Sequence, residues 1–152
     1  MACDRNSSRF TYANPVLGSV YQYNERGVLL WRSSLGSFVP LTEAPGEKPT
    51  AAAQILADFE DWASLVTWVD MNAKVAMVAH RTGQKGCYVS FLDSVGARVG
   101  AVGPWDAISW RRESDDWLFF VGGEKRYYDY VPKCVVRVKF SGSAPNGPEV
   151  KP

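Results

Sequence analysis

Residues 74–102 read KVAMVAHRTGQKGCYVSFLDSVGARVGAV, and the texture of this stretch decides the fold class. Three runs rich in Val, Phe and Tyr, at 74–80, 87–92 and 97–102, are separated by Arg81-Thr82-Gly83-Gln84-Lys85-Gly86 and by Asp93-Ser94-Val95-Gly96. β-Branched and aromatic residues pack well on a pleated surface, and Gly with Asx supplies the turns between. Short runs joined by short turns pair antiparallel, so a β-meander is expected here.

The same texture extends toward the C-terminus. Residues 105–111 read as another strand. Residues 117–121 and 124–130 flank Gly122-Gly123, a two-residue hairpin signal, and 133–140 make a last strand after Pro132. In that last run Cys134, Val136, Val138 and Phe140 alternate with Lys133, Val135, Arg137 and Lys139, one core face and one cationic face. If Val121 faces Glu124, Trp117 meets Tyr128, and both faces of the hairpin are apolar. Upstream, 19–23 and 28–31 flank Asn24-Glu25-Arg26-Gly27, a turn closed by a left-handed Gly, and Phe38-Val39 makes a short further strand. The two Asx-x-x-Gly turns begin 69 residues apart with no fixed period between them, which argues against a repeat architecture.

One stretch has helical spacing. After Pro49 and a Thr50 N-cap, apolar residues fall at 52, 55, 56, 59, 62, 63, 66 and 69, while Asp58, Glu60 and Asp61 take the other side. The expected architecture is therefore α+β, a mostly antiparallel meander of about seven or eight strands curled over one amphipathic helix. Residues 1–15 read as a loose N-terminal arm, 16–140 as a single α+β domain, and 141–152, rich in Ser, Gly, Ala, Pro and Asn, as a disordered tail.

Composition narrows the function. At 152 residues with 46% apolar and 22% charged residues, the chain is an ordinary globular domain rather than a disordered or disulfide-scaffold one. Its 17 basic and 16 acidic residues nearly cancel, which disfavours bulk polyanion binding. Residues 41–70 form an acidic middle, Lys48 against six carboxylates. No apolar run is long enough for a membrane helix, and no secretory h-region follows Met1, so a reducing, cytoplasmic setting is expected.

The chemistry-bearing residues are few. Cys3, Cys87 and Cys134 have no zinc-like spacing and His80 is the single histidine, so no metal is expected. No glycine pattern suits a nucleotide, and no cofactor is expected. Gly83-Gln84-Lys85-Gly86 has a G-x-x-G form but leads into strand residues, so it reads as a plain turn. Glu60-Asp61 and Asp115-Asp116 are sequence neighbours that diverge rather than converge on a substrate. If 81–86 is the turn, His80 and Cys87 stand opposite each other, the one pair suited to nucleophilic catalysis, with Asp93 or Asp70 to orient it. Such a set occurs in most chains, and the reading is non-enzymatic.

The informative excess is aromatic: six Trp, seven Tyr and seven Phe. Trp, Tyr and Arg are the types that dominate binding hot spots. The expected partner surface is Trp105, Trp110, Arg111, Arg112, Arg126, Tyr128 and Tyr130, with the acidic helix face at Asp58, Glu60 and Asp61 as an alternative docking site. The function expected is that of a non-enzymatic protein-binding protein, of the size of a toxin-neutralising (immunity-type) or other inhibitory partner. The alternatives are a sheet-surface module for single-stranded nucleic acid, a Cys–His enzyme, and a sugar- or lipid-binding barrel.

Overall fold

A computed structural model describes residues 1–4, 8–39, 64–82, 86–106, 108–126 and 129–140, with the backbone alone of 124–126 and 129–130. Eleven strands make three antiparallel sheets and two more make a separate ribbon. The first sheet is β1 (Ala2–Asp4), β2 (Arg9–Ala13), β3 (Ser19–Asn24) and β4 (Leu29–Ser34), hydrogen-bonded in chain order. Two of its strands come from the stretch expected as a loose arm. The second sheet is β5 (Ser64–Met71), β6 (Ala76–Thr82), β7 (Cys87–Leu92) and β8 (Arg98–Trp105), again in chain order. The third runs β13 (Cys134–Val138), β10 (Asp116–Val121), β9 (Ile108–Glu113), and the ribbon pairs β11 (Glu124–Arg126) with β12 (Asp129–Val131).

The α+β expectation is overturned. The described residues contain no helix, and the last residues of the expected helix, 64–69, lie in strand β5. The cause is a β-bulge. Val66 pairs with His80 and Trp68 with Ala79, so Thr67 has no cross-strand partner, and its hydroxyl donates to the Ala79 carbonyl at 3.1 Å. One inserted residue turns a two-residue step into a three-residue step. Val66 and Val69 therefore point to the same side, and their spacing imitates a helical stripe. Residues 50–63, with Asp58, Glu60 and Asp61, lie outside the described residues.

The second sheet is the middle layer. On one face Ala76, Val78, Leu92 and Met71 pack against Ala13, Val20, Trp31 and Leu35 of the first sheet and the chain just after it. On the other, Met77, Ala79, Val89, Phe91 and Val102 pack against Trp117, Phe119, Val121, Val136 and Val138 of the third. A strand buried on both faces loses the apolar–polar alternation, which is why residues 75–79 read as one continuous apolar run. β5 comes within 8 Å of β1 and β2 (Cα–Cα), nearer than the about 10 Å of stacked faces, so the first two sheets close up at their leading strands.

The first two sheets end in one shared unit, the hairpin of their third and fourth strands, while the earlier pairings do not correspond: Arg9 lies opposite Asn24, but Val78, 69 residues on, lies opposite Ser90. In each, the third and fourth strands are joined by the Asx-x-x-Gly turn. The Asn24 amide donates to the Val28 carbonyl and Gly27 to Asn24; the Asp93 amide donates to Ala97 and Gly96 to Asp93. The Asn24 side chain accepts from the amides of Arg26 and Val28, and Asp93 from those of Val95 and Ala97. Beyond the turn, both units carry the same bulge. Gln22 pairs with Trp31 and Tyr23 with Leu29; Phe91 pairs with Gly100 and Leu92 with Arg98. Every one of these positions is displaced by 69 residues.

The Gly122-Gly123 hairpin does not form as expected. β10 pairs with β9 and β13, Trp117 lying opposite Arg112 and Val138 rather than Tyr128. The Lys133 amide donates to the Val121 carbonyl, so the two glycines lead the chain out into the ribbon instead of back along β10. Gly123, at φ 92°, approaches the Val131 carbonyl so closely that a Cβ there would lie 2.0 Å from its oxygen. The alternation expected in the last strand is found from Val135 onward, with Val136 and Val138 buried and Val135 and Arg137 exposed, but Cys134, expected on the core face, is exposed. No helix of the described residues is long and apolar enough to cross a membrane.

Candidate functional site

β2 reads Arg-Phe-Thr-Tyr-Ala and β3 reads Ser-Val-Tyr-Gln-Tyr-Asn. Alternation puts Thr11, Ala13, Val20 and Gln22 on one face and Phe10, Tyr12, Tyr21 and Tyr23 on the other. Here the polar set is buried and the aromatic set faces out. Thr11 is fully buried and Gln22 nearly so. They are tolerated because they form a chain: Trp31 Nε1 donates to Gln22 Oε1 at 3.1 Å, Gln22 Nε2 to Thr11 Oγ1 at 3.3 Å, and Thr11 Oγ1 to Met71 Sδ at 3.4 Å. A buried polar group with its partners made costs little, whereas one left unpaired costs about 1–3 kcal/mol.

On the outer face the rings form a cross-strand ladder. Phe10 and Tyr23 stack at 5.1 Å between centroids with planes 14° apart, Tyr12 and Tyr21 at 6.0 Å and 28°, and Tyr21 and Tyr23 at 6.5 Å and 21°. The Arg32 guanidinium, opposite Tyr21 on β4, lies 5.6 Å from its ring centroid. Tyr12 is 39% exposed, and the apolar surface continues through Val28, Leu29 and Leu30, each above 40%. An exposed apolar face of this extent marks an interaction site more often than chance placement.

The surface expected from sequence is divided by the fold. Trp105 and Trp110 pack into the core between the second and third sheets, Trp105 against Phe119 at 5.7 Å. Arg112 is drawn inward, donating to the Met71 carbonyl and lying 3.6 Å from Asp70, which also accepts from Trp117 Nε1 at 2.8 Å. Arg111 alone stands on the outer face of the third sheet, 2.5 Å from Glu113 and over the Phe120 ring at 5.7 Å. The side chains of Arg126 and Tyr130, and all of Tyr128, lie outside the described residues, as does the acidic alternative at Asp58, Glu60 and Asp61. A readable signal for the outward ladder existed, the Phe-x-Tyr and Tyr-x-Tyr runs on either side of Asn14. It was masked because alternation alone does not say which face is the core.

The Cys–His pair does not assemble. Cys87 pairs with Arg81, and His80 with Tyr88. The turn is one residue later than the sequence suggested, and a one-residue slip sends the two side chains to opposite faces. His80 is fully buried, stacked on Tyr88 at 5.6 Å and beside Phe38, with Nε2 3.5 Å from the Ser37 hydroxyl. Burial, helped by the nearby Arg98 charge, lowers its pKa to about 4. Burial pushes the Cys87 thiol up to about 11, against a hydrogen bond from Thr67 and the Arg81 charge. Such a thiol is almost wholly protonated at neutral pH and is a poor nucleophile. The two orienting candidates are occupied too, Asp70 by Trp117 and Arg112, Asp93 by its own turn. Asp115 and Asp116 sit by Lys74 and by Arg137 with Lys139, paired with cations rather than with each other. Among the described residues no group of three or more His, Cys, Asp and Glu is placed to hold a metal ion.

The outer face of the first sheet thus carries a ladder of stacked aromatic rings turned away from the core. Comparison of the chain with protein-family models, with curated proteins and with solved structures finds no match.

Proposed function

We propose that the chain is a non-enzymatic protein-binding module and that it docks through the outer face of its first sheet. The observation that carries this reading is the stacked ladder of Phe10, Tyr12, Tyr21 and Tyr23 with Arg32 beside it, left outside the core. Tyr and Arg supply broad apolar contact together with polar tips, and the sheet holds them rigid before binding. An inhibitory or toxin-neutralising role would use the same surface.

Single-stranded nucleic acid is the second reading, since bases stack on exposed sheet aromatics. It is less well supported because 17 basic and 16 acidic residues nearly cancel, which gives little attraction for a polyanion. The test is affinity capture from source lysate with the wild type and with a Tyr12→Ser/Tyr23→Ser variant. A protein partner retained at moderate salt by the wild type, and held at least tenfold more weakly by the variant, supports the reading. Equal capture by both proteins rejects this surface. Binding of labelled oligonucleotide that disappears as salt rises favours the alternative.

A further inference from the structure

The buried polar side chains of the described residues are paired with two exceptions. Thr11, Gln22, Ser64, Asn72 and Thr82 all make side-chain hydrogen bonds. His80 Nδ1 and Ser90 Oγ are buried without a protein partner. Both residues are fully enclosed, at 0% exposure. An unpaired buried polar atom costs about 1–3 kcal/mol, so two of them in one place require a physical reason.

The two exceptions are neighbours. β6 and β7 pair His80 with Tyr88 and Val78 with Ser90, so Ser90 lies diagonally across from His80. Both side chains stand on the face that carries Val78 and Leu92, the one turned toward the first sheet. Diagonal neighbours in a sheet have Cβ atoms about 7 Å apart. The serine oxygen is one bond from its Cβ and Nδ1 two bonds from its own, and the two atoms stop short of a direct hydrogen bond. A molecule making two hydrogen bonds of about 2.8 Å bridges groups about 4.5 Å apart, which suits a diagonal pair of this reach. The same face packs on Val20 and Leu35, and the Phe38 ring lies against His80. The charge that acts on His80 is the Arg98 guanidinium, which opposes a bound cation.

We propose that His80 Nδ1 and Ser90 Oγ together hold one water molecule enclosed between the first and second sheets. Water fits the chemistry, because a serine hydroxyl and a neutral imidazole can each donate or accept and water does both. The bridge ties β6 to β7 through their side chains. With the Ser37 hydroxyl at Nε2, it also fixes the tautomer and the orientation of the His80 ring.

A high-resolution crystal structure of the full chain and nuclear magnetic resonance in solution test this. The crystal should show one water peak within hydrogen-bond distance of both atoms. In solution the His80 ring protons should show a cross-relaxation signal from a long-lived water. Ser90→Ala leaves that water a single side-chain partner, fewer than a buried water needs. The variant should lose the water signal and shift the Nδ1 nitrogen resonance of His80, with an unchanged circular dichroism spectrum. Direct contact of Nδ1 with Oγ, or a space closed without a peak, overturns the proposal. So does a peak that touches one atom alone, or one with the excess density of chloride. A water signal that persists unchanged in Ser90→Ala overturns it as well. Should Ser90→Ala fail to fold, the two wild-type measurements decide.

Discussion

His80 shows how one residue's surroundings set its chemistry. It is enclosed by Phe38, Tyr88 and the Ser37 hydroxyl, with its pKa lowered to about 4. The unfolded chain, at the ordinary value of 6.5, takes up the proton first as pH falls. The contribution of the neutral ring to stability is therefore complete above pH 6.5 and is lost between 6.5 and 4. Urea unfolding at pH 7.5 and pH 5 should show a loss of about 2 kcal/mol, rising to ~3 kcal/mol near pH 4. His80→Phe should flatten that profile down to pH 5; an unchanged slope would assign the acid sensitivity to other groups. Glycine gives a second test at this scale. Gly27 and Gly96 occupy equivalent left-handed positions, at φ 74° and 84°. A Cβ at Gly27 meets nothing, whereas at Gly96 it lies 2.8 Å from the Trp31 ring. Gly27→Ala should cost about 1 kcal/mol from backbone strain, and Gly96→Ala about 1–3 kcal/mol more from the clash, measured by thermal unfolding.

At the scale of elements, the Asx-x-x-Gly turns were legible in the sequence because their hydrogen bonds are local. Asn24 and Asp93 each bind two amides within four residues, and no distant part of the chain is needed. Asn24→Ala and Asp93→Ala should each destabilise by about 1 kcal/mol, while Asn24→Asp and Asp93→Asn, which keep the acceptor, should be close to neutral in the same assay. β5 was not legible. Its bulge at Thr67 is closed by the Ala79 carbonyl, twelve residues away in the chain, and no local signal marks it. A Thr67 deletion leaves Val66 opposite His80, Trp68 opposite Ala79 and Val69 opposite Val78, so Val69 and Met71 should stay on the buried face and the variant should fold with a regular ladder, detected as a retained near-ultraviolet circular dichroism signal. The Gly122-Gly123 signal was real as a turn and misleading as a hairpin, because the ladder of β10 was completed by β13 instead of by the next residues.

At the scale of the whole molecule, the middle sheet couples the other two. Phe91 touches Trp117, Phe119 and Phe140 on one side, while its neighbour Leu92 belongs to the cluster shared with the first sheet. Phe91→Ala should cost about 3–5 kcal/mol and Leu92→Ala about 2–5 kcal/mol. Because both faces of one sheet are involved, each should lower a single cooperative transition; two separate transitions would show that the layers unfold independently. Tyr12→Ser, on the outer face, should move the midpoint by no more than a few degrees while weakening association.

The candidate site divides along the same line as the fold. Residue types sufficed to identify strands, turns, the cationic alternation of the last strand and an aromatic excess suited to docking, because each depends on neighbours one to four residues away. Which aromatics are exposed did not follow from type. Trp105 and Trp110 went to the core, while Phe10, Tyr12, Tyr21 and Tyr23 went outside. The fate of Cys87 and His80 turned on a single step of register, which the pairing of β6 with β7 sets. The sequence by itself determined the β-rich texture and the positions of its turns. Stacking of three sheets decided the faces, since a strand's two sides become distinguishable only when another layer covers one of them.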